Sequence, residues 1–161
     1  MFRELVRKNQ ALDEAECIRI LKDEKRGVLS VLGDDDYPYG SPINHLYLEE
    51  DGCLYFHGGM QGHKIDAMKR HDKVSFCVYD QGNPPRPNKA DWSLDFKCVI
   101  VFGRVEFIDD RDETIRISRL LCNKFTQDQA YIDDEVARSG ARTLCFRLRP
   151  EHMTGKLVNE S

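Results

Sequence analysis

The sequence predicts a mainly β fold, an antiparallel barrel with peripheral helices. At least five strand-like runs follow one another with short turns between them, and helix-start signals stand outside these runs. Consecutive strands joined by hairpins argue against a doubly wound parallel sheet, and neither a Gly-x-Gly-x-x-Gly motif nor a Walker loop is present. At 161 residues, we expect a single domain, 1–161.

The first predicted element is a helix that starts after Asp13. Asp13 can cap it, and Glu16 completes a capping box. Gly27 is expected to end the helix. Its apolar stripe consists of Cys17, Ile20 and Leu21.

Strands are predicted next, over 28–32, 39–48 and 53–57. Pro42 removes an amide from any ladder, so the second run should lie at an edge or a bulge. Asp51-Gly52 is a hairpin turn between the second and third runs.

A short helix over 63–71 and a strand over 74–79 follow. Residues 80–91 form a proline-rich loop, and loops of this length in compact domains often have a function. The longest predicted strand covers 94–108, with a bend or bulge at Gly103.

The last third of the sequence predicts two helices and one strand. Asp110 and Glu113 form a second capping box, and another helix should cover 127–138. The final strand is predicted over 143–148, followed by a tail after Pro150.

Composition restricts the class of protein. The formal net charge of -4 gives no basic excess, so we expect no nucleic-acid partner. No apolar run reaches membrane-spanning length and no secretory signal is evident, so we expect no membrane association and a cytoplasmic location. The six cysteines form no Cys-x-x-Cys pair, which favours buried thiols over a zinc site or a disulfide framework.

Residues 41–71 carry most of the functional signal, including four of the five histidines. If a helix starts near His63, its first amides lack internal partners and Lys64 adds a full positive charge. Gly62-His63-Lys64 therefore predicts a phosphate site, although a solvated lysine after a flexible loop is about equally consistent. His71 is interpreted as a helix end.

Two further histidines stand near predicted strand ends. His57 precedes two glycines and can either bind a ligand or cap the hairpin. Asn44 and His45 follow Pro42, where a flat ligand or simple edge protection would explain them. No histidine spacing matches a metal site, and no Gly-x-Ser-x-Gly elbow indicates a hydrolase.

Four stretches occur along the chain in this order: Tyr37 to Asn44; Gly52 to Gly58 with Gly62 to Asp66; Lys97 to Gly103; and Glu151 to Lys156. Together they resemble the flavin-binding split-barrel proteins related to pyridoxamine 5′-phosphate oxidase, and among them the nitroimidazole-resistance (Nim-like) subfamily.

The resemblance implies an FMN-binding split barrel of antiparallel Greek-key type, forming a homodimer with FMN, or FAD, at the interface. It implies that the isoalloxazine ring contacts Pro42, Ile43, Asn44 and His45. Phe56, His57 and Gly58 would continue the pocket, and His63, Lys64 and Ile65 would lie at the phosphate. Lys97, Cys98, Val99 and Val101 would border the site.

The expected function is that of an FMN-dependent oxidoreductase acting on a small aromatic, nitroimidazole-like compound. His45 is the predicted proton donor, because an ordinary histidine titrates near neutral pH. A non-enzymatic flavin- or haem-binding carrier or sensor stays open, since a fold does not decide function. A pyridoxamine 5′-phosphate oxidase-like enzyme is a third possibility and would need further basic residues, for which Arg147, Arg149 and Lys156 are candidates.

Overall fold

The computed structural model describes residues 2–83 and 94–160. Seven antiparallel strands form one sheet in the order β2-β1-β5-β6-β7-β4-β3, which confirms the predicted mainly β fold. Most of the predicted proline-rich loop at 80–91 lies outside the described residues. The strands are β1 (Arg26–Leu32), β2 (Pro38–Asn44), β3 (Leu46–Leu48), β4 (Cys53–Gly59), β5 (Lys73–Tyr79), β6 (Leu94–Ile108) and β7 (Thr143–Glu160).

The sheet curls into a barrel whose corner is His45. Strands β2 and β3 occupy opposite edges of the sheet, yet only His45 separates them in the chain. The two edges must therefore approach each other at this residue. Within the described strands, β2 is hydrogen-bonded only to β1 and β3 only to β4. Beyond the corner, no ladder in the described part of the chain joins β2 to β4, and the barrel is split between these two strands. The prediction that Pro42 lies in an edge strand is confirmed.

Three of the four α-helices are capped by aspartate. Asp13, Asp110 and Asp128 each accept a hydrogen bond from the amide three residues later, at 2.8, 2.8 and 3.1 Å. The remaining helix starts at His63, is preceded by Gly62 at the capping position, and has no side-chain cap. The helices are α1 (Glu14–Asp23), α2 (His63–Arg70), α3 (Arg111–Asn123) and α4 (Gln129–Ser139).

The prediction that Gly27 ends the first helix was wrong. Helix α1 ends at Asp23, and the chain enters β1 at Arg26. A Cβ on Gly27 would lie 2.4 Å from the Phe76 ring, so this glycine is required by packing within the barrel.

Strand β7 is much longer than predicted, because the tail after Pro150 continues as a strand beside β6. Pro150 pairs with Gly103 where the register shifts between Phe102 and Gly103. A proline lacks the amide that a regular ladder needs, so an irregularity is where it fits. The bulge predicted at Gly103 is confirmed.

Two apolar clusters cover opposite faces of the sheet. The barrel interior contains the fully buried rings of Phe56, Phe76 and Phe146. A second cluster lies between the outer face of β4 and β7 and helix α3, and includes Tyr55 and Ile117. The six cysteines are free thiols.

Candidate functional site

The N-terminus of α2 presents unpartnered amides. Gly62 has a φ of 128°, which favours glycine, and the first helical hydrogen bond runs from the Asp66 amide to the Gly62 carbonyl at 3.0 Å. Among the described residues, no acceptor contacts the amides of His63, Lys64 or Ile65. Since the other three helices fill this position with an aspartate, α2 alone leaves it available to an external anion.

Lys64 adds a cation at the same helix end. Its side chain is half-buried, and burial lowers its pKa. No described residue forms an ion pair or a hydrogen bond with it. A Cβ on Gly58 or on Gly62 would meet no atom within 4 Å, so space is open around this helix end. A half-buried cation beside open space and free amides can hold a phosphate.

His63 links α2 to the turn between β1 and β2. Its ring lies 4.3 Å from the Tyr39 ring, centroid to centroid, and its Nε2 accepts a hydrogen bond from the Asp34 amide at 3.3 Å. The Asp34 carboxylate also forms a 2.6 Å ion pair with Arg70 at the other end of α2. These contacts hold the start of α2 against the edge strand β2.

Ser41 has a buried hydroxyl without a partner. Its Oγ is buried and makes no hydrogen bond with a described residue. It shares the inner face of β2 with Tyr39, two residues earlier, which contacts His63. Buried hydroxyl groups in folded proteins normally have a partner, so this one is consistent with a ligand that brings an acceptor or a donor. Sequence reasoning missed Ser41, and an unpaired buried atom leaves no mark in a sequence.

The segment predicted to contact the flavin ring, called the ring end below, consists of Pro42, Ile43, Asn44 and His45. In the structure Pro42 is exposed and Ile43 is buried. Asn44 accepts a hydrogen bond on Oδ1 from Nε of Arg26 at 2.9 Å. Strands β2 and β4, the second of which carries Phe56 and Gly58, approach each other. Phe56 itself is fully buried, so at that position only the backbone can meet a ligand.

His57 lies on the opposite face of β4 from Phe56. Burial lowers its pKa, and Glu135 of α4 is the nearby charge that opposes this effect. The His57 ring is therefore partly buried on the outer face of β4, while its backbone stays in the strand that borders the split. Ile65 is buried behind the start of α2, as a packing residue.

The structure places His45 inside the protein, which does not suit the predicted role of proton donor. The side chain is 0% exposed, and its Nε2 donates to the Leu21 carbonyl at 2.8 Å. Burial, aided by the charge of Lys124, lowers the pKa of His45 to about 3. A covered, neutral ring has no surface with which to meet a substrate, so we assign it no proton transfer.

The four predicted residues of β6 divide between two faces of the sheet. Val99 and Val101 are fully buried in the barrel, so their side chains cannot border an open site. Lys97 forms an ion pair with Glu16 of α1. Of the four, Cys98 is the residue on the outer face of β6, since its neighbour Val99 faces the interior.

Strand β2, which carries Pro42, thus approaches strand β4, which carries Gly58, and His63, next to Lys64, contacts Tyr39 of β2. The structure withdraws the side chains of His45, His57 and Phe56 from the split between β2 and β4. Among the described residues, no group of three or more histidines, cysteines or carboxylates could hold a metal ion. No described helix is long and apolar enough to cross a membrane.

The fold and the split define a class, the split-barrel proteins. The sequence matches the pyridoxamine 5′-phosphate oxidase family over residues 13–157, and the chain belongs to that family.

Solved structures share this fold. A candidate 5-nitroimidazole antibiotic resistance protein from Bacteroides thetaiotaomicron is 21% identical, with a TM-score of 0.77, covering 91% of this chain and 86% of that one. An FAD-binding protein from Mesorhizobium loti is 25% identical, with a TM-score of 0.63, covering 94% of this chain and 97% of that one. A flavocytochrome from Azotobacter vinelandii is 17% identical, with a TM-score of 0.77, covering 98% of this chain and 73% of that one. The search of curated proteins found no match.

Proposed function

We propose that the protein binds FMN, or alternatively FAD, in the split between β2 and β4 and reduces a small aromatic compound. The observation that carries this proposal is the uncapped start of α2, where free amides and Lys64 face open space beside the edge strand. A flavin phosphate would be held there, and Ser41 would supply a hydrogen bond that it lacks within the chain. Family membership and the FAD-binding relative support a flavin as the ligand.

A bound flavin would supply the redox chemistry, and the chain would bind, orient and shield it. The backbone of Pro42 to Asn44 would lie against the ring, since an edge strand has amides and carbonyls that no neighbouring strand uses. His63 would stay fixed by Tyr39 and Asp34 at the phosphate end. A nitroaromatic substrate is proposed because of the resistance role suggested for the Bacteroides protein of the same fold.

A homodimer is part of the proposal. The interface would be the outer face around Phe102 of β6, whose ring is 38% exposed. Cys98 lies on the same face and would reach the partner's flavin. Light scattering should give about twice the 18.7 kDa chain mass. A Phe102→Glu variant should then dissociate and lose flavin, whereas a flavin-loaded 18.7 kDa species would contradict the dimer.

A non-enzymatic flavin carrier is the second candidate. It is favoured by the withdrawal of His45, which leaves no titratable side chain among the four predicted ring-end residues. A pyridoxamine 5′-phosphate oxidase-like activity has less support. Arg147 and Arg149, which could have bound a second phosphate, both form ion pairs with Glu106.

The purified protein tests both candidates. Flavin absorption near ~375 and ~450 nm should be present and should bleach without air on addition of reduced nicotinamide. Addition of a nitroaromatic compound should restore the absorption if the protein is an oxidoreductase. Bound flavin that no donor reduces would favour the carrier, and a colourless protein that takes up no added flavin would contradict both.

A further inference from the structure

A groove of about 590 Å³ opens beside Pro42, on the other side of the proposed flavin-ring contact. It lies between the turn that joins α1 to β1, the exposed end of β5 and Phe125, two residues after the end of α3. Pro42 and Val28 form part of its floor. Tyr79 and Phe125 line it as well. Its volume is sufficient for a single aromatic ring with a polar substituent.

Two cations in the groove, Lys25 and Arg26, have no carboxylate partner among the described residues. Nε of Arg26 donates to Asn44, and its two terminal nitrogens make no hydrogen bond or ion pair with a described residue. The ammonium of Lys25 lies 5.4 Å from the centroid of the Phe125 ring. Both groups can therefore meet an incoming anion without first breaking an ion pair.

Two acidic residues, Asp23 and Glu24, also line the groove, and both have cations beside them. Asp23 forms a 2.8 Å ion pair with Arg19. Burial and the nearby charges of Asp80 and Asp23 raise the pKa of Glu24, while Lys124 opposes them. Because these carboxylates attract cations, the ligands tested must include a cationic one.

Two of the side chains that line the groove are exposed aromatic rings. Tyr79 is 55% exposed and Phe125 is 42% exposed. Exposed rings next to cations are suited to a flat ligand that stacks on one side and carries negative charge on the other.

We propose that this groove binds a flat aromatic carboxylate, with its ring against Tyr79 and Phe125 and its carboxylate on Arg26. A guanidinium presents two parallel N–H groups to a carboxylate, and the terminal nitrogens of Arg26 are free for this geometry. Lys25 adds charge but no fixed orientation.

The groove also touches the proposed flavin site. Pro42 lines both, and Arg26 is hydrogen-bonded to Asn44 of the ring-end segment. A ligand in the groove would therefore lie beside the ring and would be the compound that the enzyme reduces. This step rests on the proposed function, whereas binding in the groove does not.

The test compares three ligands of one shape and different charge: 4-nitrobenzoate, its neutral methyl ester and 4-nitrobenzylamine. Calorimetric titration of flavin-free protein should show that 4-nitrobenzoate binds most tightly. Arg26→Gln should weaken that binding by at least roughly tenfold, the effect of losing about 1.4 kcal/mol. Arg142→Gln, which changes an exposed arginine outside the groove, should leave it unchanged.

Equal binding of the three ligands, preference for the amine, no binding, or an unchanged affinity in Arg26→Gln would each overturn the proposal. If Arg26→Gln does not fold, Phe125→Ser should give the same loss. With flavin-loaded protein, 4-nitrobenzoate should also shift the flavin absorption spectrum. Anion binding without that shift would separate the groove from the flavin site, and a protein without flavin would contradict only the proposed function.

Discussion

Nε2 of His45 donates a hydrogen bond to the carbonyl oxygen of Leu21 over 2.8 Å. This bond joins the last turn of α1 to the one-residue corner between β2 and β3. The ring also packs edge-on against Phe76 of β5, with centroids 4.9 Å apart. One side chain therefore fixes the position at which the barrel closes.

Replacing His45 with alanine should lower the free energy of unfolding. The variant loses a buried ring and leaves the Leu21 carbonyl with a weaker set of donors, a combined effect of about 2–4 kcal/mol. Urea unfolding of the flavin-free protein measures it. His71→Ala, which changes an exposed histidine, is the matched control. Unchanged stability combined with slower substrate reduction would instead return His45 to the role of proton donor.

The stability of the protein should fall in acid because of the same residue. The pKa of His45 is about 3 in the folded state and near 6.5 when unfolded, so between these values only the unfolded chain binds the proton. Stability is then complete above pH 6.5 and declines as the pH falls toward 3, by about 2 kcal/mol at pH 5. His57, whose pKa burial also lowers, acts in the same direction.

Unfolding free energies at pH 7.5 and pH 5 measure this effect in the wild type and in His45→Gln. The variant should show a smaller difference between the two pH values, because glutamine does not titrate. An equal difference in both proteins would mean that His45 is not the group responsible.

Local signals predicted much of the fold. Asp13 and Asp110 cap helices as their capping boxes indicate, and Gly103 marks a bulge. These features depend on a few neighbouring residues, which is the range over which a sequence pattern is informative. The extension of β7 beyond Pro150 depends instead on pairing with β6, some fifty residues away in the chain.

The misplacement of His45 has a similar cause. It stands two residues after Ile43, so strand alternation places both side chains on one face, and an apolar Ile43 indicates that this face is the interior. That signal was available in the sequence. What the sequence does not show is that the chain crosses between two sheet edges at a single residue, which is a property of the closed barrel.

Lys124 should be a second major contributor to the corner. At the end of α3, its ammonium donates to the carbonyls of Leu21, Glu24 and His45. Hydrogen bonds from a charged donor contribute about 1.5–3 kcal/mol, so Lys124→Met should destabilise the protein by that order. Thermal unfolding is the measurement, with Lys22→Met as the control on exposed α1. If both variants unfold alike, the three carbonyls do not need the lysine.

Lys64 should determine phosphate affinity without affecting the fold. Lys64→Met removes a cation that has no ion-pair or hydrogen-bond partner among the described residues, so stability should change little. Flavin affinity should fall by about 1.5–3 kcal/mol, the value of a charge-assisted hydrogen bond. Fluorescence titration of FMN into flavin-free protein gives the dissociation constant.

Lys69→Met is the matched control, because Lys69 lies in the same helix at its exposed C-terminal end. Riboflavin, which lacks the phosphate, should bind the wild type and Lys64→Met equally. Wild-type FMN affinity in Lys64→Met would remove the start of α2 from the flavin site.

Ser41 should affect the flavin-free and flavin-loaded proteins in opposite directions. In the flavin-free chain its buried hydroxyl has no partner, and removal of an unsatisfied buried group is neutral or stabilising by up to about 1 kcal/mol. Ser41→Ala should therefore unfold at the same temperature as the wild type or higher. If the flavin supplies the missing partner, the same change should weaken flavin binding and reduce the stabilisation that flavin gives. Ser30→Ala, on the outer face of β1, should alter neither quantity. A Ser41→Ala protein that is destabilised without flavin but binds it normally would show that the hydroxyl serves the fold and not the ligand.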